Sequence, residues 1–404
     1  MKRAIFLFLL AVCFIGLVSP LRAQADEPLV AATADYDFGQ EMRFYLTAEN
    51  AADIRSATLF FRAQEFPNAF SVNVPVTAGD SLALTHAVDL AQVRFAPFTA
   101  VTYWWVLATA QGDDIRVPEL TFVYEDDQFA WRELNQSGVT VHWTGDDPAL
   151  GQLALDIVTE SLPRLRTLVA VPDDLLLRLY IYPSAADLRA ALRLTGRDWV
   201  GAHAHPELGV ILVTAVNPRT AATDLRQSIP HELLHHLLYQ ATGVYYDTLP
   251  VWFNEGLATL VETTPNPSYA TVLETAVANQ TILPFTGLCR TFPTAEMEAV
   301  QAYAQSASLV RYIQTTYGTH SLRDMIAAFA DGADCEEATV RGVGQSLSDL
   351  SRDWLRSLQP RSPFVQFWVD NGLLFILLGV GFLITALLII SPSRTQPVEV
   401  IGKR

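Results

Sequence analysis

The sequence predicts an α+β chain in three parts: a small N-terminal β-sandwich, a helix-rich α+β body, and one apolar helix near the C-terminus. Three observations predict it. Short β-branched and aromatic runs alternate with polar turns up to about residue 126. After Asp126-Asp127-Gln128 the pattern changes to amphipathic helices with a few strands. Near the end, Leu373 to Ile390 forms a run of 18 residues without a charge. The chain has 404 residues, enough for two or three domains, and half of them are hydrophobic, which supplies ample core. With 43 acidic against 27 basic residues its formal charge is −16, and such a surface repels phosphate backbones, so no nucleic-acid partner is expected.

Residues 1–25 read as a secretory signal. Lys2 and Arg3 give a basic start, Ala4 to Val18 an apolar run, and Ala23-Gln24-Ala25 a small-residue cleavage pattern. Residues 26–127 form the expected β-sandwich domain. Its strand runs are Arg43 to Leu46, Ala57 to Arg62, Ala69 to Pro75, Leu82 to Val88, Thr99 to Ala108 and Glu119 to Tyr124. Thr102-Tyr103-Trp104-Trp105-Val106 is the strongest buried-strand signal among them. Six or seven strands at this spacing point to a sandwich of immunoglobulin-like type, and His86 stands there alone with no catalytic partners.

Residues 128–360 form the second domain. Val139 to Trp143, Leu177 to Tyr182 and Gly209 to Thr214 read as strands. Gly151 to Val169 reads as an amphipathic helix, and Pro183-Ser184-Ala185-Ala186-Asp187 opens another through a capping pattern. From Ser228 to Leu358 the chain is mostly helical. Residues 361–371 are a juxtamembrane approach, 372–390 a transmembrane helix of about 27 Å, and 391–404 a cytoplasmic tail. The tail carries Arg394, Lys403 and Arg404, whereas residues 26–390 hold 42 acids against 21 bases. Basic residues inside and an acidic body outside give the expected location: a single-pass protein of the cell membrane, its N-terminal body external. In that oxidising setting the two cysteines left after signal removal, Cys289 and Cys335, are expected to pair.

The chemistry concentrates in Ser228-Ile229-Pro230-His231-Glu232-Leu233-Leu234-His235-His236, which contains H-E-x-x-H. Ser228 is expected to cap this helix, Pro230 to occupy its first turn and Gly243 to end it. Residues four apart lie one turn apart on nearly the same face, so His231 and His235 can reach one ion. Zinc suits neutral imidazoles, and Glu232 is the next residue round the helix, able to hydrogen-bond water there. Leu249-Pro250 opens a second helix carrying Trp252-Phe253-Asn254-Glu255-Gly256-Leu257-Ala258. If it folds back, Glu255, 20 positions after His235, completes a two-imidazole, one-carboxylate set with a fourth position open to water.

HELLH followed by NEGLA resembles the gluzincin metallopeptidases, specifically the peptidase MA-like family, over about residues 130–357. The likeness extends to Trp199-Val200-Gly201, the strand through Val213, and Ala302-Tyr303-Ala304-Gln305-Ser306. It implies one Zn2+ ion held by His231, His235 and Glu255, with Glu232 as general base and peptides as substrates. By the same resemblance Tyr303 is a catalytic candidate, a tyrosine starting a later helix and steadying the oxyanion. The exopeptidase signature G-A-M-E-N is absent, which favours endopeptidase action.

Neighbouring residues carry weaker expectations. His236 points about 100° away from His235 and reads as structural or supporting. His203 and His205 read as pocket or loop residues, and Asn254 as support for the second helix. The strand Gly209 to Thr214 is a candidate edge for an extended peptide. The competing reading is a noncatalytic surface adhesion or binding protein whose zinc only staples two helices. Glu232 counts against it, since a structural site needs no base. Another keeps the metal chemistry but acts on a non-peptide amide or ester.

Overall fold

The computed structural model describes residues 29–192, 202–217, 219–359 and 363–390. The signal segment 1–25, Trp199-Val200-Gly201 and the tail 391–404 lie outside the described residues. The described chain divides into two compact units, the first holding residues up to Ala130 and the short stretch from Arg189, the second opening at Trp131.

The first unit is all-β. One antiparallel sheet joins β1 (Leu29–Asp37), β2 (Glu41–Glu49) and, beyond β3 (Ile54–Ala63) and β4 (Phe70–Val74), β5 (Ser81–Asp89) in the order β1-β2-β5. The other has the order β4-β3-β6-β7, with β6 at Ala100–Thr109 and β7 at Asp114–Arg116; β8 (Leu120–Val123) also pairs with β6. Alternation places Phe44, Leu46, Leu59, Phe61, Tyr103 and Trp105 inside. Phe44 meets Phe61 and Tyr103 at centroid distances of 5.2 and 5.1 Å, so the two sheets share one core. The last strand is split at Val117-Pro118-Glu119, where proline has no N–H for the ladder. β4 joins β3 rather than the first sheet, unlike the constant-type immunoglobulin order. β1, absent from the expected runs, is rich in alanine and never buries a face fully.

The second unit is built on a five-stranded mixed sheet of order β12-β13-β11-β10-β9. Its strands are β9 (Arg132–Gln136), β10 (Val139–Trp143), β11 (Leu177–Tyr182), β12 (Ala202–His205) and β13 (Val210–Thr214). β10, β11 and β13 run parallel, and β9 and β12 close the two sides antiparallel. The expected edge strand, Gly209 to Thr214, is therefore interior: β12 pairs with it, Ala204 opposite Ile211, and becomes the edge itself. Only four residues long and without a β-branched side chain, β12 gave no strand signal.

Among the described residues the helices are α1 (Pro148–Leu165), α2 (Ala185–Leu192), α3 (Ala221–Thr242), α4 (Val251–Val261), α5 (Ser268–Ala278), α6 (Phe285–Leu288), α7 (Glu296–Tyr317), α8 (Thr319–Ala330), α9 (Cys335–Val343), α10 (Leu347–Leu358) and α11 (Pro363–Ile390), of which α1 and α3 pack on this sheet. Asp147 caps α1 by accepting from the Ala149 N–H. Ile211 and Val213 of β13, Leu225, Ile229, Leu233 and Leu237 of α3, and Phe253 and Leu257 of α4 belong to one buried cluster. Cys289 and Cys335 are joined by a disulfide across a sequence separation of 46 residues. The Trp252 indole N–H lies 3.4 Å from the Cys335 sulfur.

α11 starts at Pro363, inside the stretch read as a juxtamembrane approach; proline is at home in a first helical turn. Its side chains are described at Phe367 and over 371–387, where Leu373 and Phe382 are 71% and 77% exposed. Among the described residues no helix is long and apolar enough to cross a membrane.

Candidate metal centre

α3 differs from its expected form. It begins at Ala221, so Ser228 is no cap; its hydroxyl donates to the Asp224 carbonyl inside the helix at 2.9 Å. Pro230 is likewise interior, where it cannot donate to the carbonyl four residues back. That carbonyl, on Arg226, accepts instead from the Thr263 N–H at 3.2 Å and the Thr263 hydroxyl at 2.7 Å. The segment after α4 thus satisfies the group that Pro230 leaves free, and the helix runs on through His231 and His235. Gly243 follows it at φ +56°, and a 3₁₀ turn over Gly243–Thr248 leads to α4.

α3 and α4 together bring His231, His235 and Glu255 into one cluster, with one donor atom from each lying within 4.8 Å of the others. The Glu255 Oε2 atom stands 3.3 Å from His231 Nε2 and 3.7 Å from His235 Nε2. Four ligands about 2.0–2.1 Å from a tetrahedral centre would be about 3.3 Å apart, so the donor set fits zinc. The outer nitrogens are occupied: His231 Nδ1 lies 2.9 Å from Glu262 Oε1, and His235 Nδ1 lies 2.9 Å from Asn254 Oδ1. An imidazole whose Nδ1–H is so engaged presents its Nε2 lone pair to a metal.

The electrostatics agree with the geometry. Burial opposes protonation of His231, but the Glu255 and Glu262 hydrogen bonds outweigh it and hold its pKa well above the ordinary value. His235 is raised for a similar reason, with the Glu255 charge overcoming burial. Glu255 would be raised by burial, yet the two imidazoles pull it far below the usual carboxylate range. Glu232 goes the other way: burial raises it, and the His231 and His235 charges and the Ala204 N–H only partly offset this. The Ala204 bond ties the carboxylate to the edge strand β12.

Tyr303 reaches the cluster from α7, but not from a helix start. α7 begins at Glu296, and Glu296 and Glu298 favour that earlier start by meeting the positive end of the helix dipole. The Tyr303 hydroxyl is hydrogen-bonded to Glu255; burial, then the Glu255 charge, hold its pKa well above the ordinary value. Gly256 permits this approach. A Cβ there would meet the Ser306 carbonyl oxygen at 2.7 Å and Val310 Cγ2 at 2.6 Å.

Other residues divide as follows. His236 turns away, its Nδ1 lying 3.1 Å from the Pro206 carbonyl. His203 and His205 sit on β12 with ring centroids 4.7 Å apart, and His205 Nδ1 lies 3.6 Å from Glu207. Glu262 was not anticipated, although its position seven residues after Glu255 places it on the same helical face. Tyr246 and Tyr269 also went unnoticed; burial raises the pKa of both, and the Glu255 charge adds to it.

A family model described as the Peptidase MA superfamily matches residues 157–360, half of the chain. The chain belongs to the Peptidase MA superfamily. The matched span of this superfamily member contains α3, α4 and α7, and so the whole cluster. No curated protein matches the chain. Among solved structures, OgpA from Akkermansia muciniphila is 10% identical over 24% of this chain and 28% of that one, with a TM-score of 0.21. An M1 zinc metallopeptidase from Deinococcus radiodurans is 14% identical over 82% of this chain and 94% of that one, with a TM-score of 0.41. The chain thus spans little more than a quarter of the first of these, at 28%.

Proposed function

We propose that the chain is a zinc metallopeptidase that cuts peptide bonds within its substrates, held at the outer face of a membrane, an anchoring for which the support is the uncharged run of the sequence from Leu373 to Ile390. The observation that carries the catalytic reading is the convergence of His231, His235 and Glu255, each imidazole anchored from behind, with buried Glu232 beside them.

His231, His235 and Glu255 would hold one zinc ion, which would supply Lewis acidity to the scissile carbonyl and to the water beside it. Glu232 takes a proton from the attacking water and later hands it to the leaving amine. Its raised pKa suits a group that must hold that proton between the two steps. The β12 edge, next to Glu232 through Ala204, offers backbone groups to which an extended peptide can be added as a strand. The Tyr303 hydroxyl, hydrogen-bonded to Glu255, stands at the cluster and completes the set as oxyanion donor. The endopeptidase character rests on the absent G-A-M-E-N signature.

The layout keeps the immunoglobulin-like sandwich, 26–127, as a spacer or contact module ahead of the zinc domain, 128–360. The anchor rests on the uncharged run Leu373 to Ile390. Signal removal at residue 25 and a basic tail from 391 put the body outside.

Peptide-library digestion tests this reading. The full chain in detergent is compared with Glu232→Gln at equal zinc content. Cleavage by the wild type, reduced at least about 100-fold in the variant, is expected. Two equally inert proteins would remove the enzyme reading, and two equally active ones would remove Glu232 as the base.

A further inference from the structure

We propose that Arg164, on α1, is a positioning residue for the metal centre: by gripping the backbone at the end of α4, it sets the Glu262 carboxylate against His231. This inference rests on the zinc reading of the site.

α4 ends at Val261, and Glu262 turns out of the helix at φ −54° and ψ 132°. The last carbonyls of a helix have no partner within it and need one from outside. The Arg164 guanidinium supplies that partner. Its Nη2 donates to the Leu260 carbonyl, and its Nη1 donates to the Glu262 carbonyl at 3.3 Å. The two bonds bridge the point where helix gives way to extended chain, a span suited to a planar fork of donors rather than a single ammonium. A cation here also meets the negative end of the α4 dipole. It keeps this place although burial and the Arg311 charge both disfavour it.

The residue so held is the one behind His231. Glu262 Oε1 lies 2.9 Å from His231 Nδ1. Glu262 Oε2 is buried and has no hydrogen-bond partner among the described residues. Apart from the imidazole, no side chain among them fixes this carboxylate by a hydrogen bond, so its own backbone must place it. That backbone is clamped on both sides. On the far side, the Thr263 N–H and hydroxyl both donate to the Arg226 carbonyl of α3, the helix that bears His231. On the near side, Arg164 ties Leu260 and Glu262 to α1. Without Arg164 only the Thr263 clamp remains, and the Glu262 carboxylate can swing away from the imidazole. A ligating histidine that loses the partner of its outer nitrogen loses its fixed tautomer and ring orientation.

A plain staple between α1 and α4 would act whether or not Glu262 carried a carboxylate. A positioning residue acts only through it, and a double-mutant cycle separates the two. The full chain is prepared as wild type, Arg164→Met, Glu262→Ala and the double variant. Zinc affinity is read by competition with a chromophoric chelator, with zinc as the only added ligand. Arg164→Met alone should bind zinc about 10-fold more weakly. In the Glu262→Ala background the same change should weaken binding by less than about 2-fold. Wild-type affinity in Arg164→Met overturns the proposal, and so does an equal loss in both backgrounds. If Arg164→Met fails to fold, Arg164→Lys takes its place; with a single donor head it should lose about 3-fold, again only where the Glu262 carboxylate is present. A lysine variant with no loss, or with the same loss in both backgrounds, overturns the proposal equally. A wild type that binds no zinc sinks the metal-site reading and this inference together. A wild type that binds zinc beside an unaffected Arg164→Met sinks the positioning role alone.

Discussion

The Glu262 carboxylate, 2% exposed, lies 2.9 Å from the outer ring nitrogen of His231, on the side away from Glu255. It fixes which imidazole nitrogen stays free and makes that nitrogen a better ligand. Glu262→Gln should therefore weaken zinc binding about 10–100-fold while leaving the fold intact, as read by competition with a chromophoric chelator. Unchanged affinity would mean that the contact is incidental.

Packing makes a second prediction. Gly256 lies against α7, and an added methyl would overlap the Ser306 carbonyl and Val310. Gly256→Ala should cost about 1–3 kcal/mol in chemical denaturation. It should also weaken zinc binding, because it pushes Tyr303 away from Glu255. An equally stable variant would show that the helices can part freely.

The pH dependence should reverse sign with metal. In the zinc-free protein His231 and His235 have folded pKa values raised above the unfolded value. Their stabilising contribution is complete below about pH 6.5 and is lost as pH rises through the raised values. With zinc present the ligands must be unprotonated, so stability instead increases with pH over the same range. Tm measured from pH 5.5 to 8.5 with chelator and with zinc should give slopes of opposite sign. Parallel curves would contradict the assignment of these imidazoles as ligands.

The disulfide gives a fourth expectation. Closing a loop with a sequence separation of 46 residues stabilises by about 3–4 kcal/mol in the chain-entropy account. Replacing both Cys289 and Cys335 by serine should lower stability by that order in denaturant unfolding. The Trp252 indole, which donates to the Cys335 sulfur beside α4, gives a fluorescence probe of the change.

What was legible in the sequence follows from the range of each interaction. His231, Glu232 and His235 are set by spacing within one helix, and local periodicity reads them directly. Glu255 required that a second helix return to the first, which the break after Gly243 announced. Tertiary partners were less visible. The start of α3 was placed too late because Pro230 ordinarily marks a first turn. Here Thr263, which comes after the next helix, satisfies the Arg226 carbonyl and lets the proline sit inside. The edge strand was misplaced because Ala202-His203-Ala204-His205 has weak strand propensity and is held by its register on β13. The two sheets of the first unit were legible through alternation, except β1, whose alanines bury little.

The central claim is that His231, His235 and Glu255 hold one zinc ion, with Glu232 poised beside it as the base. Zinc content per folded chain, measured after loading and dialysis, tests it most directly across the wild type, Glu255→Ala and Glu232→Gln. One ion per chain in the wild type and in Glu232→Gln, with most of it lost from Glu255→Ala, is the predicted result. A zinc-free wild type, or full retention in Glu255→Ala, would contradict the account.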